Sequence, residues 1–217
     1  RNLFGAEKGG SAYLAGGVAE GWDAPALTRL SPAPMPWSEE TLFAYLRNGA
    51  SPDHGVAAGP MAPVIDELKK LADSDIRAMA LYLASLNQSL SSAQAAAQRE
   101  AVIAATSTAH WPTSPEARLF EGACAVCHEP GVRQSMFNPG PHLGLNTNLH
   151  LHRPDNFLRV ILHGIQNSAH GAMPGFSNAF DDQQIVDLAR YARERFAPGK
   201  APWTNLEESV RRLRAAH

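Results

Sequence analysis

Residues 124–128 read "CAVCH". This is the C-x-x-C-H pattern of covalent c-type haem attachment. Two thiols three residues apart on a helical turn can each add to one vinyl group of a single haem. His128, next in line, then offers an imidazole nitrogen to the iron. Two other chemistries use paired cysteines. A redox dithiol normally opens a helix after a strand, whereas "SPEARLFEGACAVCH" (114–128) closes a helical stretch in a strand-poor chain. A structural zinc site needs four ligands, and Cys124 and Cys127 are the only cysteines in the sequence. The same count excludes a disulfide scaffold. Haem c bound at Cys124, Cys127 and His128 is therefore expected.

An electron carrier holds its iron from both faces, so a second ligand is sought downstream. Met173, in the Gly/Pro-rich stretch "GAMPGF" (171–176), is the candidate. A thioether is a soft ligand, and Met/His ligation raises a haem's potential. Gap-filling in a core is the plain alternative for a methionine. His163 and His170 are rival ligands that would make a bis-His site of lower potential. Pro141 in "GPHLGL" lacks an N–H, and its carbonyl can accept the second ring N–H of a metal-bound histidine; a simple turn is the alternative.

Outward from this motif the chain reads as all-α with long loops. "SEETLFAYLRNG" (38–49) has a Ser cap, acids in its first turn and a closing glycine. "DSDIRAMALYLASL" (73–86) places Ile76, Met79, Ala80 and Leu83 on one face. "RPDNFLRVILHG" (153–164) and "DDQQIVDLARYARERF" (181–196) are two further helices. Phe120 and Tyr191 are expected to pack together, and Trp22, Trp37 and Trp111 to lie in the core or at its rim. His110, His142, His150 and His152 read as solvated loop residues. The stretch 87–115, rich in Ala, Ser and Gln, reads as a partly helical linker.

The two halves repeat each other in order. "LFAYLRNG" (42–49) corresponds to "FLRVILHG" (157–164), "GPMAPV" (59–64) to "GAMPGF", "DIRAMALYL" (75–83) to "QIVDLARYA", and "PAL" (25–27) to "PHL" (141–143). The expected division is 1–88 and 114–200 as tandem domains, 89–113 as linker, and 201–217 as a tail. In that tail Leu206, Val210 and Leu213 recur at helical spacing beside Arg211, Arg212 and Arg214. This predicts a short amphipathic helix, suited to peripheral contact with anionic lipid or a partner subunit.

Of the 217 residues, 44% are hydrophobic and 18% charged, which suits a packed globular chain. The net charge of −2 offers no polycation for nucleic acid. No apolar run approaches the roughly 18 residues needed to span a bilayer.

The stretches "RNLFGAEKGG", "LAGG", "EGWDAPALT", "PWSEETLFAYLRNG" and "HGVAAGPM", followed by "CAVCH", "PHLGLN", "FLRVILHG" and "AMPGF", carry a family resemblance over nearly the whole chain. The sequence resembles the multihaem cytochrome c subunits of bacterial membrane-associated alcohol, gluconate, fructose and aldehyde dehydrogenases. In that family three cytochrome c domains follow one another, and this chain resembles most of the middle one and all of the last.

The resemblance implies that Met61 is the axial methionine of the middle haem, with Pro25 and Leu27 flanking that haem as Pro141 and Leu143 flank the other. Arg1 falls just where the family's middle C-x-x-C-H segment ends. The chain is therefore expected to be a fragment, whose second haem forms only if that segment is supplied. The implied function is one-electron relay in the periplasm, at the outer face of the cytoplasmic membrane. Electrons would pass from a dehydrogenase catalytic subunit carrying flavin, pyrroloquinoline quinone or molybdenum towards quinone or another acceptor. Chemistry at a substrate is not expected of the chain itself. A di-haem peroxidase is the rival reading; in it one iron keeps an open coordination position.

Overall fold

In a computed structural model the described residues are 9–107, 113–129, 142–166 and 172–216. The chain is mostly helical. Helix α1 (Glu39–Asn48) opens on a capping box, in which the Ser38 hydroxyl accepts from the Thr41 amide and the Thr41 side chain returns a bond to Ser38. It closes on Gly49, whose φ of 77° is the left-handed conformation that a glycine cap supplies at no steric cost. Leu42 and Leu46 form its buried stripe. Helix α3 (Asp73–Ala84) packs across α1 through Ile76 and Ala80, both fully buried. Trp37, Leu42 and Ala80 make a small core, flanked by Leu27, Phe43, Tyr45 and Leu83.

The larger core lies in the second half. Helix α5 (Pro115–Ala123), capped by Ser114, packs on α8 (Asp182–Phe196), capped by Asp181 with Gln184. Helix α7 (Asp155–His163) adds Leu158, Ile161 and Leu162. The Phe120 and Tyr191 rings meet with centroids 5.5 Å apart, as the sequence suggests. Each fully buried Leu, Ile or Phe contributes roughly 1.5–3 kcal/mol, and Ile185, Val186, Leu188 and Phe196 all do so from α8 alone.

Several features depart from the sequence reading. Two short hairpins appear where no strand is expected. β1 (Gly17–Ala19) pairs with β2 (Trp22–Ala24), and β3 (Ala50–Ser51) pairs with β4 (Gly55–Val56). Helix α2 (Met61–Leu68) lies where a loop is expected. His150 is not solvated: it is 7% exposed, and its Nε2 sits 2.8 Å from the Gly144 carbonyl. His142 is half-buried and accepts from the Gly144 amide at Nδ1, 3.1 Å away. His110 and Trp111 lie outside the described residues.

The expected tail helix forms as α9 (Leu206–Ala215), but its apolar face is turned inward. Leu206, Val210 and Leu213 are buried in the core of α7 and α8. Arg212 pairs with Asp155 at 2.8 Å. Arg214 pairs with Asp182 at 2.6 Å and also reaches the Ser177 and Phe180 carbonyls. The apolar stripe that suggested lipid docking is thus already covered by the chain itself.

The linker stretch contains α4 (Ser92–Ala105), which opens on a Ser91–Gln94 capping box. Arg99 grips Asp53 of the first half through two bonds of 2.7 and 2.6 Å, and Gln98 reaches the Pro34 carbonyl. At the other end Thr106, 1% exposed, lies against Gly144. The halves also touch directly. Asn156 exchanges bonds of 2.9 and 2.8 Å with the Asp23 backbone. His54 stacks on Trp37 with centroids 3.5 Å apart, and its Nδ1 lies 3.3 Å from the Thr147 hydroxyl.

Candidate haem site

Helix α5 delivers the C-x-x-C-H turn. It stops at Ala123; Cys124 (φ −116°, ψ −36°) breaks the run, and α6 (Ala125–His128) follows. The Cys127 and His128 amides both bond to the Cys124 carbonyl, at 3.1 and 3.0 Å, so the motif is one closed turn. Cys124 is half-buried and Cys127 is exposed. Burial pushes the Cys124 thiol up to about 12, with Cys127 beside it adding to the effect. A nucleophilic dithiol needs the opposite shift; here burial at the junction of α5 and α6 raises the first thiol.

His128 is held neutral by burial, the form that ligates a metal. Its Nδ1 is buried without a hydrogen-bond partner among the described residues. A buried polar atom left unpaired costs about 1–3 kcal/mol, so its retention calls for a partner. One ring nitrogen for iron and one for a nearby carbonyl would satisfy the ring. Pro141, expected to offer that carbonyl, lies outside the described residues. Leu143 is 8% exposed and belongs to the same core as Phe120. These residues fit a covalently held haem.

Met173 is placed by backbone rather than by its side chain. It pairs with Ile165 in an antiparallel bridge, with both N–H···O distances 2.9 Å. The Phe176 and Ser177 amides bond to the Ile161 and Leu162 carbonyls at the end of α7, at 2.8 and 3.1 Å. Gly164 (φ 73°, ψ −173°) makes the close approach feasible, because a Cβ there would collide with the backbone of Met173, Pro174 and Gly175. His163 ends α7, half-buried; the rival ligand His170 lies outside the described residues.

In the first half Met61 is half-buried and is the first residue of α2, with its amide 3.2 Å from the Ala58 carbonyl. Its setting therefore differs from the extended one of Met173. Two residues before Met61, Gly59 (φ 53°) lies so close to the Trp22 indole that there is no room for a Cβ. Pro25 is half-buried, and Leu27 bonds to the Leu14 carbonyl and packs on the Trp37 cluster.

Two residues beside the motif escape the sequence reading: Glu129 and Arg195. Arg195 continues the inward stripe Leu188–Tyr191–Ala192 of α8, and its side chain is 1% exposed. An arginine at helical spacing on an apolar stripe was the signal that could have marked it.

Comparison with known proteins agrees with this geometry. The family described as "Cytochrome C oxidase, cbb3-type, subunit III" matches residues 113–191. A nicotinate dehydrogenase subunit of Pseudomonas putida is 48% identical over 99% of this chain and 18% of its own length. The fructose dehydrogenase cytochrome subunit of Gluconobacter japonicus is 32% identical over 94% of this chain and 46% of its own. The chain thus spans less than half of either relative. Cytochrome c6 of Synechococcus elongatus is 31% identical over 39% of this chain and 92% of its own length. A small cytochrome matched over nearly all its length, and a cytochrome domain matched from α5 into α8, show that the chain belongs to the cytochrome c family.

Proposed function

We propose that the chain is the electron-relay part of a bacterial dehydrogenase complex, working in the periplasm. The observation that carries this reading is the closed C-x-x-C-H turn with a buried nitrogen on His128 that has no partner among the described residues. Bound haem c supplies a reversible one-electron ferric/ferrous couple. Cys124 and Cys127 hold it covalently, His128 ligates the iron, and Met173 is the second ligand, with Pro141 and Leu143 flanking. The core of α5, α7 and α8 keeps the surroundings apolar, which favours a fixed ligand geometry.

The names of the relatives point to the partner. They include cytochrome subunits of fructose, alcohol and gluconate dehydrogenases and one subunit of a nicotinate dehydrogenase. We read the electron donor as a catalytic dehydrogenase subunit, of the flavin, pyrroloquinoline quinone or molybdenum type that the sequence resemblance implies, and the acceptor as quinone or another respiratory carrier. No helix among the described residues is long and apolar enough to cross a membrane.

The first half, 1–88, is read as a second cytochrome domain, with Met61, Pro25 and Leu27 at a further haem whose C-x-x-C-H segment would come from upstream. One contrast supports this. Tyr191 is covered by Phe120 of α5, whereas Tyr82, at the matching place on α3, is 53% exposed.

Haem counting by pyridine haemochrome and intact mass tests the reading. Covalent haem should be present and should disappear in the Cys124→Ala/Cys127→Ala double variant. Haem that resists acid–acetone extraction from that variant would refute the assignment.

A further inference from the structure

Long cationic side chains are almost never fully buried unless paired. The buried Arg195 guanidinium is paired with Glu129, the residue immediately after His128, through Nη2 bonds of 2.8 and 2.7 Å to the two carboxylate oxygens. Its Nη1 donates to the Tyr191 hydroxyl at 3.2 Å, and its Nε to the Thr106 carbonyl at 3.4 Å. It also lies over the Phe120 ring, 5.3 Å from the centroid, on the helix that leads into Cys124. Arg195 therefore contacts residues on either side of the haem-attachment turn in the chain, Phe120 before it and Glu129 directly after it. Its neighbour Arg193 shows the alternative. That guanidinium is satisfied by the Leu149, Leu151 and Ala201 carbonyls, so a buried arginine in this fold can do without a carboxylate.

We propose that Arg195 and Glu129 form a charge-neutral clamp that positions His128 and sets the electrostatic field at the haem iron. The inference rests on the reading of His128 as an iron ligand. Glu129 leaves α6 in an extended conformation (φ −99°, ψ 125°), and the two-point bond to Arg195 fixes where the chain goes after the ligand. Together the pair is neutral. Broken, it leaves one charge of known sign in surroundings of low dielectric, where charges interact strongly. Ferric haem carries one more positive charge than ferrous haem. A lone Glu129 carboxylate therefore favours the ferric state and lowers the potential, and a lone Arg195 guanidinium does the reverse.

The test is spectroelectrochemical titration of the haem-loaded full chain. Arg195→Met should lower the potential and Glu129→Gln should raise it. The double variant, which removes both charges, should return towards the wild-type value. Glu129→Gln is the gentler change, because the amide oxygen can still accept from Arg195, so it supplies a reading if Arg195→Met does not fold. A merely structural pair would move both single variants in the same direction and leave the double variant no closer to wild type; that result overturns the clamp. Potentials unmoved by either single change, with covalent haem present, also overturn it. Absence of covalent haem from the wild-type chain overturns the reading of the C-x-x-C-H turn instead.

Discussion

Substitution of Gly164 by alanine tests how Met173 is held. Gly164 has φ 73° and ψ −173°, a region that side-chain-bearing residues enter at a cost of about 1–3 kcal/mol. Its Cβ would stand 2.7 Å from the Gly175 nitrogen and 2.8 Å from the Pro174 carbonyl carbon, and closer still to the Met173 oxygen. Ordinary carbon–oxygen approaches are about 3.3 Å or more, so the backbone of the methionine loop must move. Overpacking of this kind costs about 1–3 kcal/mol more.

Gly164→Ala should therefore lose about 4 kcal/mol in guanidinium unfolding, read as a lower midpoint at an unchanged slope. Gly199→Ala is the control: its φ is 81°, but nothing lies within 4 Å of the added carbon. It should lose only about 1–2 kcal/mol. In haem-loaded protein, Gly164→Ala should also weaken the thioether–iron absorption band, and Gly199→Ala should not. Equal losses in the two variants, or an unaltered band in Gly164→Ala, would refute the argument that Gly164 admits the Met173 strand.

Other outcomes follow from the same structure. Met173→His should keep haem covalently attached while lowering the potential, as imidazole replaces thioether; an unchanged potential excludes Met173 as ligand. Burial pushes His54 and His150 down to about 4, so both rings are neutral in the native state. Unfolded histidine titrates at about 6.5, so the unfolded chain binds more protons between those values, and the stability these two rings contribute should fall as pH drops from about 6.5 to 4 and level off below. The loss is at most about 3 kcal/mol per ring, and a His150→Gln variant should show a shallower pH dependence in chemical unfolding. Leu213→Ala should cost about 2–5 kcal/mol, because the side chain is fully buried; a loss near zero would mean that α9 is detached in solution.

What the sequence made legible follows the range of the forces involved. The ends of α1 and α8 were readable because caps are local: Ser38 and Asp181 bond to amides three residues on. Helix α2 was hidden by Pro60 and Pro63. Those prolines suggest a loop, yet a proline in the first turn removes only an amide that has no helical partner anyway. The hairpins have strands of two or three residues, too short to show alternation. His150 is buried because the chain closes on it from Gly144, and no local pattern encodes that bond. The stripe Leu206–Val210–Leu213 correctly signalled a surface to be covered, but a stripe does not say by what. The C-x-x-C-H turn was legible in full, whereas its clamp to Arg195 depends on residues far apart in sequence.

Helix α4 is fastened at two points, by Arg99 to Asp53 and by Thr106, whose carbonyl takes a bond from Arg195. A helix advances about 1.5 Å and turns about 100° with each residue. Adding one residue between these fastenings would therefore swing one of them to another side of the helix. Near-whole turns alone restore both grips, so the stretch of α4 between Arg99 and Thr106 can be lengthened only in steps of about 5 Å. The spacing is in effect digital, and drift by single insertions is blocked by the helix's own pitch.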